Sequence, residues 1–311
     1  MIKLIIKKFI PNYRDTTSVT VREAYGVLSG VLGIICNLLL FTVKLAVGLF
    51  ACSIAVISDA FNNLSDLGSS LITIFGAKLS NRPPDKEHPH GHGRLEYIAS
   101  LVVSFIIFGV GLQLLQSAVE KIIAPTAVLF SPASLAILLF SIMIKLWMFS
   151  YNRYIGKTIN SGVNMGVARD SLNDAYATGA VIAGTILGRY VDFPVDGLLG
   201  LVISLLILYT GFGMARDSVN LLLGSPPDPQ LVDNIRSCVL MGKNIRGVHD
   251  LIVHDYGPGR VTASIHAEVS HALDLVDIHA EIDEIEQFVK KKLGIEIVIH
   301  MDPVNDHSEK G

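Results

Sequence analysis

The stretch VLSGVLGIICNLLLFTVKLAVGLF, residues 27–50, contains one charged side chain, Lys44. About 20 consecutive apolar residues in a helix are enough to cross the hydrocarbon core of a bilayer. The stretch therefore predicts a membrane-spanning helix, and the rest of the chain repeats the pattern five times. We expect a bundle of six transmembrane helices, with the further spans near residues 53–79, 95–119, 127–151, 165–187 and 196–222.

The overall composition supports a membrane protein. Of the 311 residues, 50% are hydrophobic and 17% are charged, and the mean hydropathy is +0.50. Soluble domains carry roughly 25% charged residues. These values disfavour a cytosolic enzyme and exclude a disordered chain or a nucleic-acid binder with a basic face. The three cysteines are widely separated and predict no disulfide framework.

The charged residues are unevenly distributed along the chain. Residues 224–311 hold 8 basic and 15 acidic residues, whereas residues 1–223 hold 17 basic and 13 acidic ones. The division coincides with GSPPD, which starts at Gly224 and is a strong signal for the end of a helix. We therefore expect a cytoplasmic N-terminal segment over residues 1–26, a transmembrane domain over 27–223 and a cytoplasmic domain over 224–311.

The orientation in the membrane follows from Lys and Arg in the flanks of the spans, because these residues favour the cytoplasmic side. One set of flanks is rich in them, and the opposite set holds only Lys121 and Arg189. We therefore expect a multi-pass protein of the cell membrane with both termini in the cytoplasm. The basic residues of the rich set are Lys3, Lys7, Lys8, Arg14, Arg22, Lys78, Arg82, Lys86, Arg94, Arg153, Lys157 and Arg169.

The C-terminal part has the pattern of a small α/β domain. Apolar residues recur with helical spacing in the longer of its two predicted helices, and they alternate with polar ones in the predicted strands. The predicted order is a helix at 229–241, strands at 248–255 and 261–269, a helix at 274–293 and a strand at 294–300.

The second and fifth spans each carry two polar residues four positions apart. Asn62 and Asp66 lie in SDAFNNLSDLGSS, and Asp170 and Asp174 lie in ARDSLNDA. This spacing places both members of a pair on one face of a helix, and ionisable residues at membrane depth are usually functional. Three carboxylates and one amide oxygen form a hard ligand set, suited to Mg²⁺, Ca²⁺, Mn²⁺ or Fe²⁺.

Other interpretations of the intramembrane polar residues stay open at this point. They can act only as hydrogen-bonding partners between helices, and Asp170 can be solvated near the cytoplasmic end. Asp59 is either a partner of the site or a capping residue. Lys44 and Lys145 are expected to snorkel or to pair with acids rather than to bind metal.

The ten histidines all lie outside the predicted spans. Asp85, His88 and His92 have ligand-like spacing in the connection between the second and third spans, with Glu87 and His90 as further candidates. The other seven histidines lie in the C-terminal domain. They are His249, His254, His266, His271, His279, His300 and His307.

Taken together, these motifs resemble the cation diffusion facilitator family of divalent-metal transporters. The resemblance rests on SDAFNNLSDLGSS, HPHGHGRLE, ARDSLNDA and the terminal HMDP, so it covers nearly the whole chain. It implies a secondary active transporter, not an enzyme, that exchanges cytosolic metal for protons by alternating access. It also implies a homodimer, held together by the transmembrane helices and by a C-terminal domain of metallochaperone-like fold.

The resemblance further implies three metal sites and a preferred metal. The Asn-x-x-x-Asp and Asp-x-x-x-Asp pairs resemble the manganese-exporting branch, since zinc members usually place His in one or both pairs. We therefore expect Mn²⁺ as the cargo, with Zn²⁺, Fe²⁺, Cd²⁺ or Co²⁺ as the alternative and H⁺ as the counter-ion. The implied ligands are Asn62, Asp66, Asp170 and Asp174 for transport, Asp85, His88 and His92 in the loop, and His249, His266, His279, His300 and Asp302 in the C-terminal domain.

One departure from the family concerns Arg94. Some members join the start of the third span to the end of the sixth by a salt bridge, and Arg94 supplies the basic partner. Gly224 stands where the acid is expected, which leaves Asp217 and Asp228 as nearby candidates.

Two functions of other classes would make different demands on the sequence. A membrane metalloenzyme would use His88, His90 and His92, but the chain has no HExxH or GxSxG motif. A metal sensor with anchoring spans would not need paired carboxylates within the membrane. Transmembrane metal flux distinguishes both from a transporter.

Overall fold

The computed structural model describes residues 2–16, 19–80, 83–129, 131–188, 190–191, 193–257 and 260–304. Arg82, Arg189 and His307, which figure in the predictions above, lie outside these ranges. Contacts along the chain divide it into two compact units. One comprises residues 1–72 and 102–215, and the other comprises residues 73–101 and 216–311.

The part of the chain before residue 224 is helical. Among the described residues of this part, four helices are long and apolar enough to cross a membrane, so the chain is a multi-pass membrane protein. The other two long helices carry the predicted Asn and Asp pairs. The helices are α1 (Ile2–Phe9), α2 (Val19–Ala51), α3 (Ile54–Ser80), α4 (Leu95–Ile123), α5 (Pro132–Thr158), α6 (Gly162–Leu187) and α7 (Val195–Leu223), and the four apolar ones are α2, α4, α5 and α7.

The N-terminal segment contains more helix than the sequence analysis anticipated. Ile6 and Ile10 repeat at helical spacing and are buried with Tyr25 of α2 and Tyr151 of α5. The apolar stripe of α1 thus packs against α2 and α5. As a result α2 begins at Val19, before the apolar stretch, and residues 1–26 include packed helix.

Capping side chains fix where α5 and α6 begin. The Ser131 hydroxyl accepts a hydrogen bond from the Ser134 N–H, and Pro132 occupies the first turn of α5. At the start of α6 the Ser161 hydroxyl accepts from the Asn164 N–H. Each cap satisfies an N–H group that has no partner within its own helix. The two helices pack against each other along their lengths, and α2 packs against α5.

The start of α3 is held by an acid from α7. The Asp196 carboxylate accepts hydrogen bonds from the Ile54 N–H, at 2.9 Å, and from the Ser53 hydroxyl. Lys121 of α4 lies 3.5 Å from the same carboxylate. Negative charge is favourable at a helix N-terminus, so Asp196 connects the ends of three helices.

Glycine allows α7 to approach α4 closely. Gly211 is buried, and a Cβ atom placed on it would lie 3.2 Å from the Phe108 backbone nitrogen and 3.3 Å from the Ser104 carbonyl oxygen. Small residues at such contacts are typical of helix packing in membranes. Large apolar side chains such as Phe105 and Phe212 point away from the contact and are more than half exposed, as expected of surfaces that face lipid.

The C-terminal part forms the predicted α/β domain, with a sheet in the order β1-β2-β3. Strand β1 pairs antiparallel with β2, and β2 pairs parallel with β3. Ile235, Ile265 and Val289 are completely buried between the two helices and one face of the sheet. The elements are α8 (Pro229–Val239), β1 (Ile245–Asp255), β2 (Val261–Ser270), α9 (Leu275–Leu293) and β3 (Glu296–Val304).

The last strand differs from the predicted residues 294–300. Gly294 ends α9 with a φ of +72°, a conformation that glycine adopts without steric cost. The strand therefore begins at Glu296 and continues through Asp302 to Val304. This extension places Asp302 on the same strand, and on the same face, as His300.

Candidate metal sites

The structure brings Asn62, Asp66 and Asp174 together between α3 and α6. The Asn62 amide nitrogen donates to Asp174 Oδ1 at 2.7 Å. Lys145 Nζ donates to Asp174 Oδ2 at 2.6 Å and to Asp66 Oδ2 at 3.1 Å. Asp170, the fourth predicted ligand, lies one helical turn before Asp174 and is exposed. We call these four residues and Lys145 the membrane cluster.

Lys145 lies at the centre of the membrane cluster, a position that the sequence does not predict. The side chain is 1% exposed, and its ammonium group also donates to Asn37 Oδ1 on α2 at 2.9 Å. Of the two roles considered for it, charge pairing is the one the structure shows. The only indication of this role in the sequence is that Lys145 is a single charged residue within an apolar span. Buried carboxylates require a counter-charge, which such a residue can supply.

A second buried ion pair joins α2 to α3. Lys44 Nζ of α2 is 2.8 Å from Asp59 Oδ2 of α3, and both side chains are at most 1% exposed. The Thr178 hydroxyl of α6 accepts from Lys44 at 2.8 Å and lies 2.9 Å from Asp59 Oδ2. Asp59 is therefore paired within the protein, one helical turn from Asn62.

In the loop between α3 and α4, the Asp85 carboxylate contacts two histidines. His88 Nδ1 and His92 Nε2 lie 3.5 Å and 3.3 Å from its carboxylate oxygens. The His88 backbone N–H, 2.7 Å from Asp85 Oδ1, together with that of Glu87, lowers the pKa of Asp85. The three side chains can all direct a ligand atom to one ion.

In the C-terminal domain, three histidines form a row across the sheet. His249 of β1 pairs with His266 of β2, and His266 pairs with His300 of β3. Asp302 lies among them, with its carboxylate 3.2, 2.8 and 3.5 Å from nitrogen atoms of the three rings. The hydrogen bond with His266, followed by the charges of the imidazoles, lowers the pKa of Asp302. Nitrogen and carboxylate ligands in this arrangement suit Zn²⁺ and similar ions.

His279 does not join this row within the chain. It lies on α9, 3.4 Å from Asp283. Helix α9 packs on the face of the sheet that carries Ile265, and alternate residues of a strand point to opposite faces. The row therefore lies on the far side of the sheet from His279.

Arg94 contacts the turn after β1 rather than an acid at the end of α7. Its guanidinium donates to the Asp255 carbonyl oxygen at 3.0 and 3.3 Å and lies over the Tyr256 ring, 5.0 Å from the centroid. The Tyr97 hydroxyl donates to the Asp255 carboxylate at 3.1 Å, and His90 stacks on Tyr256. These contacts join the entry of α4 to the C-terminal domain.

Comparison with protein families assigns both parts of the chain. Residues 30–223 match the model described as the cation efflux transmembrane domain. Residues 227–304 match the model described as the cation efflux protein cytoplasmic domain. Together the two matches cover most of the chain.

Individual relatives agree with the family matches. The chain is 30% identical over 263 residues to an uncharacterised transporter of Methanocaldococcus jannaschii, covering 85% of this chain and 91% of the relative. It is 30% identical over 276 residues to the manganese efflux system protein MneS of Bacillus subtilis, covering 86% and 92%. It is 27% identical over 269 residues to the cation-efflux pump FieF of Shigella boydii, covering 85% and 88%.

Proposed function

Since the chain belongs to the cation efflux family of divalent-metal transporters, we propose that it exports Mn²⁺ from the cytoplasm in exchange for protons. The transport site consists of Asn62, Asp66, Asp170 and Asp174. The metal enters this site from the cytoplasm and leaves it on the other side after the helices rearrange.

The proposal includes six spans, α2 to α7, with both termini in the cytoplasm. The excess of Lys and Arg in the N-terminal segment and in the connections α3–α4 and α5–α6 supports this orientation. The family description of residues 227–304 as cytoplasmic agrees with it. The protein acts as a homodimer through the cytoplasmic domain and the transmembrane helices.

The observation that carries the proposal is the meeting of Asn62, Asp66 and Asp174 between two helices of the membrane domain. One ammonium group among three carboxylates leaves an excess of negative charge in an apolar domain, which a bound cation would offset. When all are ionised, the three carboxylates and the nearby Lys145 ammonium group carry a net charge of −2, which a divalent ion balances. Protons replace the metal when it leaves. The acidic cytoplasmic domain raises the local concentration of cations at the entry side.

Manganese is favoured by the chemistry of the ligands. Zn²⁺ prefers imidazole and thiolate, and this site has neither, whereas Mn²⁺ is suited to carboxylate and carbonyl oxygen. The resemblance to MneS of Bacillus subtilis supports the same choice. The alternative is export of Zn²⁺, Fe²⁺, Cd²⁺ or Co²⁺, for which the loop and sheet histidines would serve as cytoplasmic binding sites.

The test is Mn²⁺ flux into proteoliposomes with Asp174→Ala, measured together with the proton flux that the metal gradient drives. We expect both fluxes to be lost while the variant stays folded by circular dichroism. Asp277→Ala, which removes an exposed acid of α9, serves as the control and should transport normally. Undiminished metal-driven proton flux in Asp174→Ala would refute the proposed site. The inhibition of Mn²⁺ flux by each alternative metal, added in competition, ranks the metals by their affinity for the transporter.

A further inference from the structure

In the membrane cluster, protein donors already bind three of the carboxylate oxygen atoms that could coordinate a metal. Asp174 Oδ1 accepts from Asn62 at 2.7 Å, and Asp174 Oδ2 accepts from Lys145 at 2.6 Å. Asp66 shares the same ammonium group. The Asn62 amide directs its nitrogen, not its oxygen, toward Asp174. For a metal ion to bind Asp174 Oδ2 and Asp66 Oδ2 directly, the ammonium group must withdraw from them. The Asn62 oxygen can become a ligand only after the amide rotates.

The surroundings of Lys145 offer a place for the ammonium group to withdraw to. Asn37 Oδ1, which belongs to a third helix, α2, lies 2.9 Å from Nζ, and Asn37 is itself 5% exposed. A lysine carries its charge on a flexible four-carbon chain. The ammonium group can therefore exchange carboxylate contacts for the amide contact without leaving the protein interior.

Charge repulsion makes the two occupants mutually exclusive. An ammonium group and a divalent cation that share two carboxylates would lie within a few ångströms of each other, where like charges repel strongly in a medium of low dielectric constant. Binding of either one therefore weakens binding of the other. A permanent competitor held in the site lowers metal affinity and favours release of the metal.

We propose that Lys145 is a tethered cation that competes with the metal for Asp66 and Asp174, and that its return to these carboxylates promotes metal release. The inference rests on the proposed function, because it concerns the same transport site. Lys145 is a positioning residue here, since it acts on the ligands and does not bind the metal.

The experiment compares Lys145→Met with Lys44→Met. The control removes the other buried ammonium group, which pairs with Asp59 and contacts none of the four proposed ligands. Mn²⁺ transport is measured in proteoliposomes over a range of metal concentrations. Mn²⁺ binding is measured by calorimetry, and the binding heat that is lost in Asp174→Ala is assigned to the proposed transport site. For Lys145→Met we expect at least about tenfold tighter binding, a lower half-saturating concentration and a lower maximal flux.

A second pair of variants, Lys145→Arg with Lys44→Arg as its control, keeps the test decisive if Lys145→Met or Lys44→Met fails to fold. Each Met substitution leaves a buried acid without its ammonium partner. Lys145→Arg retains the positive charge and can hold carboxylates through two parallel hydrogen bonds. We expect it to fold and to bind Mn²⁺ several-fold more weakly than the native protein. Unchanged Mn²⁺ affinity in the folded Lys145 variants, or a change in either Lys44 variant equal to that in its Lys145 counterpart, would overturn the inference.

The two proposals fail in different ways. If the native protein neither binds nor transports Mn²⁺ in a manner sensitive to Asp174→Ala, the proposed transport site is wrong. If that sensitivity is present and the Lys145 variants keep native affinity, only the role of Lys145 is wrong.

Discussion

At the scale of single residues, charges buried in the membrane domain are arranged in compensated groups. Lys145 contacts Asp66 and Asp174, and Lys44 contacts Asp59. Removing one partner of a buried ion pair is strongly destabilising because it leaves an unpaired charge. Asp66 and Asp174 share one lysine, whereas Asp59 has Lys44 to itself, so only the shared pair carries an excess of negative charge.

The spacing of Asn62, Asp66, Asp170 and Asp174 was readable from the sequence because pairs four apart share a helix face. The position of Lys145 was not readable, because it depends on which faces of α2, α3, α5 and α6 meet. Lys145 and Asp66 are 79 positions apart. Local periodicity carries no information about such lateral neighbours.

Asn62→His tests the choice of metal. An imidazole at this position adds a ligand type that Zn²⁺ prefers over the amide oxygen. We expect the ratio of Zn²⁺ to Mn²⁺ transport to rise by about tenfold, which corresponds to about 1.4 kcal/mol of differential binding. The measurement is paired flux of the two metals in proteoliposomes, with Asn63→His as the control on the neighbouring face. An unchanged ratio in Asn62→His would speak against ligand chemistry as the source of selectivity.

At the scale of elements, close helix packing and strand register decide where the sites form. The alternation of apolar and polar residues predicted the strands of the C-terminal domain, and the register then aligns His249, His266 and His300. That alignment could not be predicted, because the pairing of β1 with β2 is irregular between Ile245 and Gly247 and again between His249 and Ile252. The extension of β3 past His300, which brings in Asp302, also lay beyond the predicted strand.

Gly211→Leu tests the close approach of α7 to α4. The added side chain would press on backbone atoms of Phe108 and Ser104, which cannot turn away as a side chain can. Overpacking of this kind costs about 1–3 kcal/mol, so we expect a lower thermal midpoint in detergent. Gly213→Leu is the matched control, because nothing lies within 4 Å of a Cβ at that position. Equal melting of both variants and the native protein would show that the contact is not tight.

Asp302→Asn tests the site on the sheet. In an Asp174→Ala background, Zn²⁺ at about 100 times its dissociation constant should stabilise the protein by about 2.7 kcal/mol, seen as a rise in the thermal midpoint. Asp302→Asn should lose most of that rise, because Asp302 carries the carboxylate among the three rings. His271→Ala, which lies outside the row, should keep it. Full stabilisation of Asp302→Asn would mean that the metal binds elsewhere.

At the scale of the whole molecule, the chain combines an apolar membrane domain with an acidic C-terminal domain, and the two carry different candidate metal ligands. The membrane domain holds the few acids that we propose bind the transported cation, and the C-terminal domain holds most of the histidines. The composition predicts a division near residue 224, whereas contacts within the chain group residues 73–101 with residues 216–311. The composition did not reveal the contact of Arg94 with Asp255 and Tyr256, since a backbone carbonyl is an acceptor that no sequence pattern identifies.

The central claim is that the transported ion binds to oxygen atoms between α3 and α6. Its most direct test is the position of Mn²⁺ in crystals of the protein, found from anomalous scattering at the manganese absorption edge. We expect a peak surrounded by oxygen atoms of Asn62, Asp66, Asp170 and Asp174, with the Lys145 ammonium group withdrawn from the carboxylates and still bound to Asn37. Peaks confined to the histidine sites, or a peak in the membrane domain held by other residues, would contradict it.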